Sequence, residues 1–157
     1  MNIRRAQEKD MEGINRLLMQ VLMVHHNGRP DLFRGNHCKK YTDEQLRDIL
    51  HNEKTPVFTA VDEKDNVLGY AFCIFKQYLN DNILTDIKTL YIDDLCVDES
   101  LRGGHIGKKL YEKVIQYAKE NGCYNVTLNV WALNKPAMRF YEKCGLKPQK
   151  IGMETIL

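Results

Sequence analysis

The run from Leu84 to Trp131 constrains the fold more than any other part of this chain. "LTDIKTLYIDDLCV" is rich in β-formers, "DESLRGGHIG" is a polar loop with three glycines, and "YNVTLNVW" returns to β-rich composition. Between loop and second run, Leu110, Tyr111, Val114, Ile115 and Ala118 recur at helical spacing until Asn121 and Gly122 end the pattern. Strand, helix, strand in that order calls for a parallel pair joined by a right-handed crossover.

Upstream lies a different pattern. "VFTAV" at 57–61 and "VLGYAFCIFKQYL" from Val67 precede the run from Leu84, with the polar turns "DEKDN" and "NDN" between them, so residues 57–97 read as an antiparallel meander. Ile3 to Arg5 reads as a short first strand. Met11, Ile14, Leu17, Leu18, Val21 and Leu22 form an amphipathic helix with Asp10 as its N-cap, and Thr42 to Leu50 a second one capped by Thr42 or Asp43. Asn134 and Pro136 open a last helix, "KPAMRFYEKCG", closed by Gly145, and "LKPQKIGMETIL" is expected to add a final strand. The expected class is α/β, more fully a mixed α+β sheet: a central, mostly antiparallel sheet with one parallel pair, flanked by helices. With 157 residues and no linker, the chain reads as a single domain, 1–157.

Charge excludes several functions. Twenty-three Lys and Arg against 21 Asp and Glu leave +2, too little to drive nonspecific binding to nucleic acid or membrane. The five cysteines are widely spaced without a CxxC pair, which argues against a disulfide framework or zinc site and for reduced thiols in a cytoplasm. "MNIRRAQEKDMEGI" has no apolar core of a signal peptide, and no window approaches the ~18 apolar residues of a spanning helix. His25 and His26 are adjacent rather than at i, i+4, so no metal is expected.

The glycine loop carries the chemistry. A loop leading from strand to helix leaves the first helical N–H groups unpaired at the positive end of the dipole, a natural seat for a phosphate or pyrophosphate. Gly103 and Gly104 remove side chains that would hold an anion away, while Arg102, Lys108 and Lys109 add positive charge. The plain alternative is a sharp turn that needed glycine. Neither GxGxxG nor GxxxxGK[ST] can be read here.

What does match is R-x-x-(G)-x-G, through Arg102, Gly103, Gly104, His105, Ile106 and Gly107, after the strand "LYIDDLCV". These residues resemble the acetyl-CoA loop of the GNAT superfamily of N-acetyltransferases, with His105 where that family usually has glycine. "NVWALNKPAMRFYEKCGL" is similar to the family's second signature, an asparagine opening the helix after the fifth strand and a tyrosine beyond it. The resemblance implies a splayed parallel pair in which backbone groups of Leu95, Cys96 and Val97 meet the pantetheine arm and thioester oxygen. It implies a pyrophosphate held by Arg102 to Lys108, and Asn134 and Tyr141 beside the cofactor, with Tyr141 protonating the departing thiolate. Read without the motif, Phe140 and Tyr141 are core aromatics.

Acetyl transfer to an amine also needs a base. An alkylammonium of pKa ~10.4 is only about one part in a thousand neutral near pH 7.4, a deficit of roughly 4 kcal/mol. "YIDDLCV" resembles the same strand of polyamine (spermidine/spermine-type) acetyltransferases, and alternation should send Asp93 and Asp94 to opposite faces. Asp93 is the candidate base; a solvated strand carboxylate is the plain alternative. Cys96 reads as a buried, inert thiol, and Trp131 as a core or interface residue. The loop at residues 25–42 is assigned provisional substrate contacts.

The expected activity is therefore transfer from acetyl-CoA to a small-molecule or peptide primary amine, by direct attack in a ternary complex. The alternatives are a non-catalytic acyl-CoA-binding or sensing module and, more remotely, a site for another nucleotide. The resemblance also suggests a homodimer.

Overall fold

The computed structural model describes residues 1–35 and 38–157. Asn36 and His37, part of the loop expected to contact substrate, lie outside the described residues. Five strands form one sheet in chain order: β1 (Asn2–Arg5), β2 (Val57–Val61), β3 (Val67–Lys76), β4 (Thr89–Val97) and β5 (Asn125–Leu128). The first four pair antiparallel, and β5 joins β4 in parallel, as the crossover required.

Helices cover both faces. On one side α1 (Met11–Gly28) and α2 (Asp43–His51) bury Ile14, Leu17, Leu18, Leu46 and Leu50 against Val57, Tyr70 and Phe72. On the other, α3 (Ile106–Glu120) buries Ile106, Leu110, Val114 and Ala118 against Phe58, Ala71, Leu90 and Ile92. Strand β2 is buried along its whole length, which a strand covered on both faces requires. α4 (Lys135–Lys143) follows β5.

Local chemistry sets the helix ends. Thr42 Oγ1 accepts from the Gln45 amide at 3.1 Å while Gln45 Oε1 accepts from the Thr42 amide at 2.9 Å, a reciprocal capping box. Asn134 Oδ1 likewise accepts from Ala137 N at 3.2 Å to open α4. Asp10 is the N-cap residue of α1, as expected, but its side chain makes no capping bond to that helix. It sits at the end of a 3-10 turn, Glu8–Asp10, and its carboxylate accepts from Gln7 N and, at 2.7 and 2.9 Å, from the Arg4 guanidinium. Burial pushes this carboxyl up, but Arg4 and the Gln7 amide more than offset it and its pKa is lowered.

Four expected boundaries change. β4 begins at Thr89 rather than Leu84, β3 stops at Lys76 and β5 at Leu128. α1 runs on through His25 to Gly28, closed by a 2.8 Å bond from Arg29 N to His25 O, so the loop starts four residues later than its composition indicated. The final strand expected from "LKPQKIGMETIL" is not formed: residues 147–157 have no regular structure and lie exposed. Pro148 donates no ladder bond, and alternation alone provides no partner edge. This tail meets Arg29, the residue that follows α1, through a 2.8 Å ion pair with Glu154.

Two local features set the geometry of β4. Its pairing with β3 runs Phe72 to Asp94 and then Cys73 to Ile92, leaving Asp93 as an extra residue in a bulge. A Cβ at Gly69, which pairs with Val97, would lie 2.7 Å from the Cys96 carbonyl oxygen and 3.1 Å from Leu110 Cδ1. Gly69→Ala is accordingly expected to cost about 1–3 kcal/mol of stability, as overpacked cores do; urea denaturation giving an unchanged midpoint would contradict this close approach.

Candidate active site

Parallel pairing between β4 and β5 ends at Ile92 and Leu128. β5 itself ends at Leu128, and the β5-facing backbone groups of β4 between Asp93 and Val97 have no ladder partner among the described residues. Leu95, Cys96 and Val97 line this open edge. A 3-10 turn at Glu99–Leu101 then leads into the glycine loop, where Gly103 has φ 91° and His105 φ 62°. His105 thus takes, as a non-glycine residue, the left-handed conformation that glycine adopts most easily.

The first amide at the start of α3 to reach a backbone carbonyl is that of Lys109, 3.1 Å from His105 O. The Ile106, Gly107 and Lys108 amides ahead of it have no backbone partner among the described residues, as expected at a helix N-terminus. A Cβ at Gly107 would meet Phe140 of α4 and Val97 Cγ2 in van der Waals contact, each at 3.4 Å, so the helix start is packed against both β4 and α4. The loop is anchored at its base. Asp98 pairs with Arg16 of α1 and accepts from Ser100 N and Oγ, which holds its carboxyl down at about 2. Gln20 Oε1 accepts from Glu99 N at 3.2 Å. Free amides, Arg102 and Lys108 suit a diphosphate, and the unpaired strand edge suits an extended amide-bearing arm.

A cleft of about 370 Å³ opens on the α1 face of β4. Leu18, Val21 and Leu22 of α1 and Phe33 of the following loop form apolar walls, while Asp93 and Asp94 supply carboxylates. The loop is folded back on the helix: His26 Nδ1 lies 2.8 Å from Phe33 O, and the His25 ring packs 4.9 Å from that of Phe33. Trp131 meets Phe33 edge-on at 5.3 Å and is 44% exposed. Burial lowers the His25 pKa. The paired histidines are thus braces for the loop.

Strict alternation predicts opposite faces for Asp93 and Asp94; the bulge overturns this, and both line the cleft. Tyr70, fully buried, donates its hydroxyl to Asp94 Oδ2 at 3.0 Å. Lys40 Nζ stands 3.2 Å from Asp93 Oδ2 and 3.5 Å from Asp94 Oδ2; the two carboxylate side chains are 31% and 11% exposed. Burial pushes the Asp94 carboxyl above the usual aspartate range despite Lys40 and Tyr70. Burial alone would lower Lys40, but the carboxylates prevail and hold its ammonium above the ordinary lysine value.

Tyr141 on α4 packs 5.1 Å from Phe140. Burial raises its pKa, and Asp94 adds to the shift, so the hydroxyl keeps its proton. The Cys96 thiol is pushed up to about 12 by burial and stays protonated, as an inert core cysteine should. Among the described residues no group of three His, Cys, Asp or Glu could hold a metal ion, and no helix is long and apolar enough to cross a membrane. Sequence reasoning missed Lys40, Tyr70 and the role of Asp94. Their convergence depends on a bulge and a long loop, for which the local pattern carries no signal.

The profile of the Acetyltransferase (GNAT) family matches residues 21–146. This chain belongs to the GNAT family. A solved structure of a tetramutant of the BH1408 protein from Bacillus halodurans is 35% identical, with a TM-score of 0.95 and coverage of 100% of both chains. Glucosamine 6-phosphate N-acetyltransferase of Arabidopsis thaliana is 41% identical over 66 residues, which are 42% of this GNAT chain and 42% of that protein. Thialysine N-epsilon-acetyltransferase of Mus musculus is 26% identical over 154 residues, 91% of this chain and 82% of that one. The match to the plant relative thus spans less than half of that relative's length.

Proposed function

We propose that this chain, a single GNAT domain over residues 1–157, is an N-acetyltransferase that moves the acetyl group of acetyl-CoA to a primary amine by direct attack in a ternary complex. One observation carries the reading: the free amides of the glycine loop and the open edge of β4 flank the strand whose other side presents two carboxylates to a cleft. The names of the glucosamine 6-phosphate and thialysine acetyltransferases support an amine as acceptor.

Acetyl-CoA supplies the acyl group as a thioester. Arg102, Gly103, Gly104, His105, Ile106, Gly107 and Lys108 hold its diphosphate, largely through backbone amides. Leu95, Cys96 and Val97 offer main-chain groups to the pantetheine arm and the carbonyl oxygen, fixed before reaction and so needing no reorganisation. Asn134, its oxygen already engaged by the helix, has its amide NH₂ left for that arm. The Tyr141 hydroxyl gives a proton to the departing sulfur.

Asp94 has the properties of a base, its side chain being largely buried, held by Tyr70 and raised in pKa by burial. Asp93, the base expected from the sequence, is the solvent-facing member of the pair; it orients the ammonium and passes the proton outward. Operation in the cytoplasm and pairing as a homodimer belong to the same proposal. A thiol-release assay over alkylamines, amino sugars and amino acids, with calorimetry of CoA binding, tests it: turnover with at least one amine is expected. Tight CoA binding without turnover of any amine would favour a sensing module, and absence of CoA binding would remove the reading altogether.

A further inference from the structure

The carboxylate end of the cleft already holds a ligand of definite chemistry, and the chain itself supplies it. Lys40 enters from the loop between α1 and α2, places its ammonium against Asp93 and Asp94, and lies 5.3 Å from the centre of the Tyr41 ring. An alkyl stem ending in a primary ammonium, with two carboxylates around its head, has the same chemistry as an amine acceptor awaiting deprotonation. We propose that Lys40 is a resident occupant of the acceptor's ammonium seat, and that the acceptor enters as an alkylammonium by displacing it. This rests on reading the cleft as the acceptor site.

Three features support displacement over a fixed structural pair. The Lys40 side chain is 38% exposed, so its head can leave for water without crossing packed core. Leu18, Val21, Leu22 and Phe33 line the same cleft, an apolar wall suited to the hydrocarbon of an incoming amine. The carboxylates also have more than one means of support: Asp94 keeps the Tyr70 hydroxyl when Lys40 departs. The acceptor favoured by this geometry is an amine on an aliphatic or aromatic body, and a strongly hydrated sugar amine would gain less from the wall.

A resident that fills a subsite nine-tenths of the time weakens the apparent affinity of its competitor about tenfold. Lys40→Met keeps the apolar stem and removes the ammonium. Calorimetry with n-pentylamine, without acetyl-CoA, is expected to give a Kd about tenfold lower for Lys40→Met than for the parent, while Lys40→Arg, which retains a cation, stays near the parent. With n-pentanol, the neutral counterpart, binding is expected to be far weaker in all three proteins. In parent protein labelled with 13C-lysine, the Lys40 Cε–Hε signal is expected to move toward its solvent-exposed position as n-pentylamine saturates.

An unchanged or higher Kd in a Lys40→Met protein that melts normally would overturn the proposal. So would n-pentanol binding as well as n-pentylamine, or a Lys40 signal indifferent to n-pentylamine. These readouts need no turnover. A tenfold gain in binding without acetylation of n-pentylamine in the full reaction would leave the seat standing and count against the catalytic reading alone.

Discussion

Tyr141→Phe is expected to lower kcat by about 10²-fold to 10⁴-fold, the range for loss of a positioned proton donor. CoA affinity, measured by calorimetry, should hardly change. The substitution removes one oxygen and leaves the ring, which packs 5.1 Å from Phe140. A structural role resides in that ring; a catalytic one resides in the hydroxyl. Burial and Asp94 keep this hydroxyl protonated, so a proton is present whenever the thiolate forms. The decisive measurement is single-turnover rate at saturating acetyl-CoA and amine, where product release cannot mask chemistry. A rate within a factor of two or so of the parent would take Tyr141 out of the acid role.

Asp94→Asn is the second large effect, with kcat/KM for a cationic amine expected to fall by about 10²-fold or more. Asp93→Asn should cost less, because its carboxylate is the more exposed of the two and the seat keeps Asp94. The pH dependence separates the two. A base works only when ionised, and burial has raised the Asp94 pKa, so parent kcat should decline as pH falls through that raised value. The decline begins at higher pH than an ordinary aspartate would give. In Asp94→Asn that limb should vanish, while in Asp93→Asn it should persist. Melting temperature guards against misreading damage as chemistry: the amide oxygen can still accept from Tyr70, so the fold should survive.

What could be read from the sequence follows a physical division. The glycine loop, the cap at Thr42, one of the two residues offered for it, and the Asn134 cap depend on backbone conformation within a few residues, and each appears where its local chemistry placed it. The crossover and meander were equally legible, because periodicity of 3.6 against 2 reports directly which face is buried. The acceptor side was not. Its carboxylate pair depends on a bulge in the β3 and β4 register, and Lys40 arrives through a loop that has no periodic signal. The tail was over-read for the opposite reason: alternating apolar residues such as Ile151 and Met153 satisfy the pattern of a strand, yet the tail pairs with neither edge of the sheet.

The extra residue at Asp93 also inverts the parity of β4. Upstream, Leu90 and Ile92 point into the α3 layer; downstream, Cys96, of the same even parity, points into the α1 layer. The strand is therefore two half-strands of opposite handedness of address, one built for packing and one for chemistry. Removing a single residue at this point would turn the second half over, sending Asp94 into hydrocarbon and Leu95 toward the amine. Chain length here, to the single residue, is as much a determinant of reactivity as the identity of any side chain.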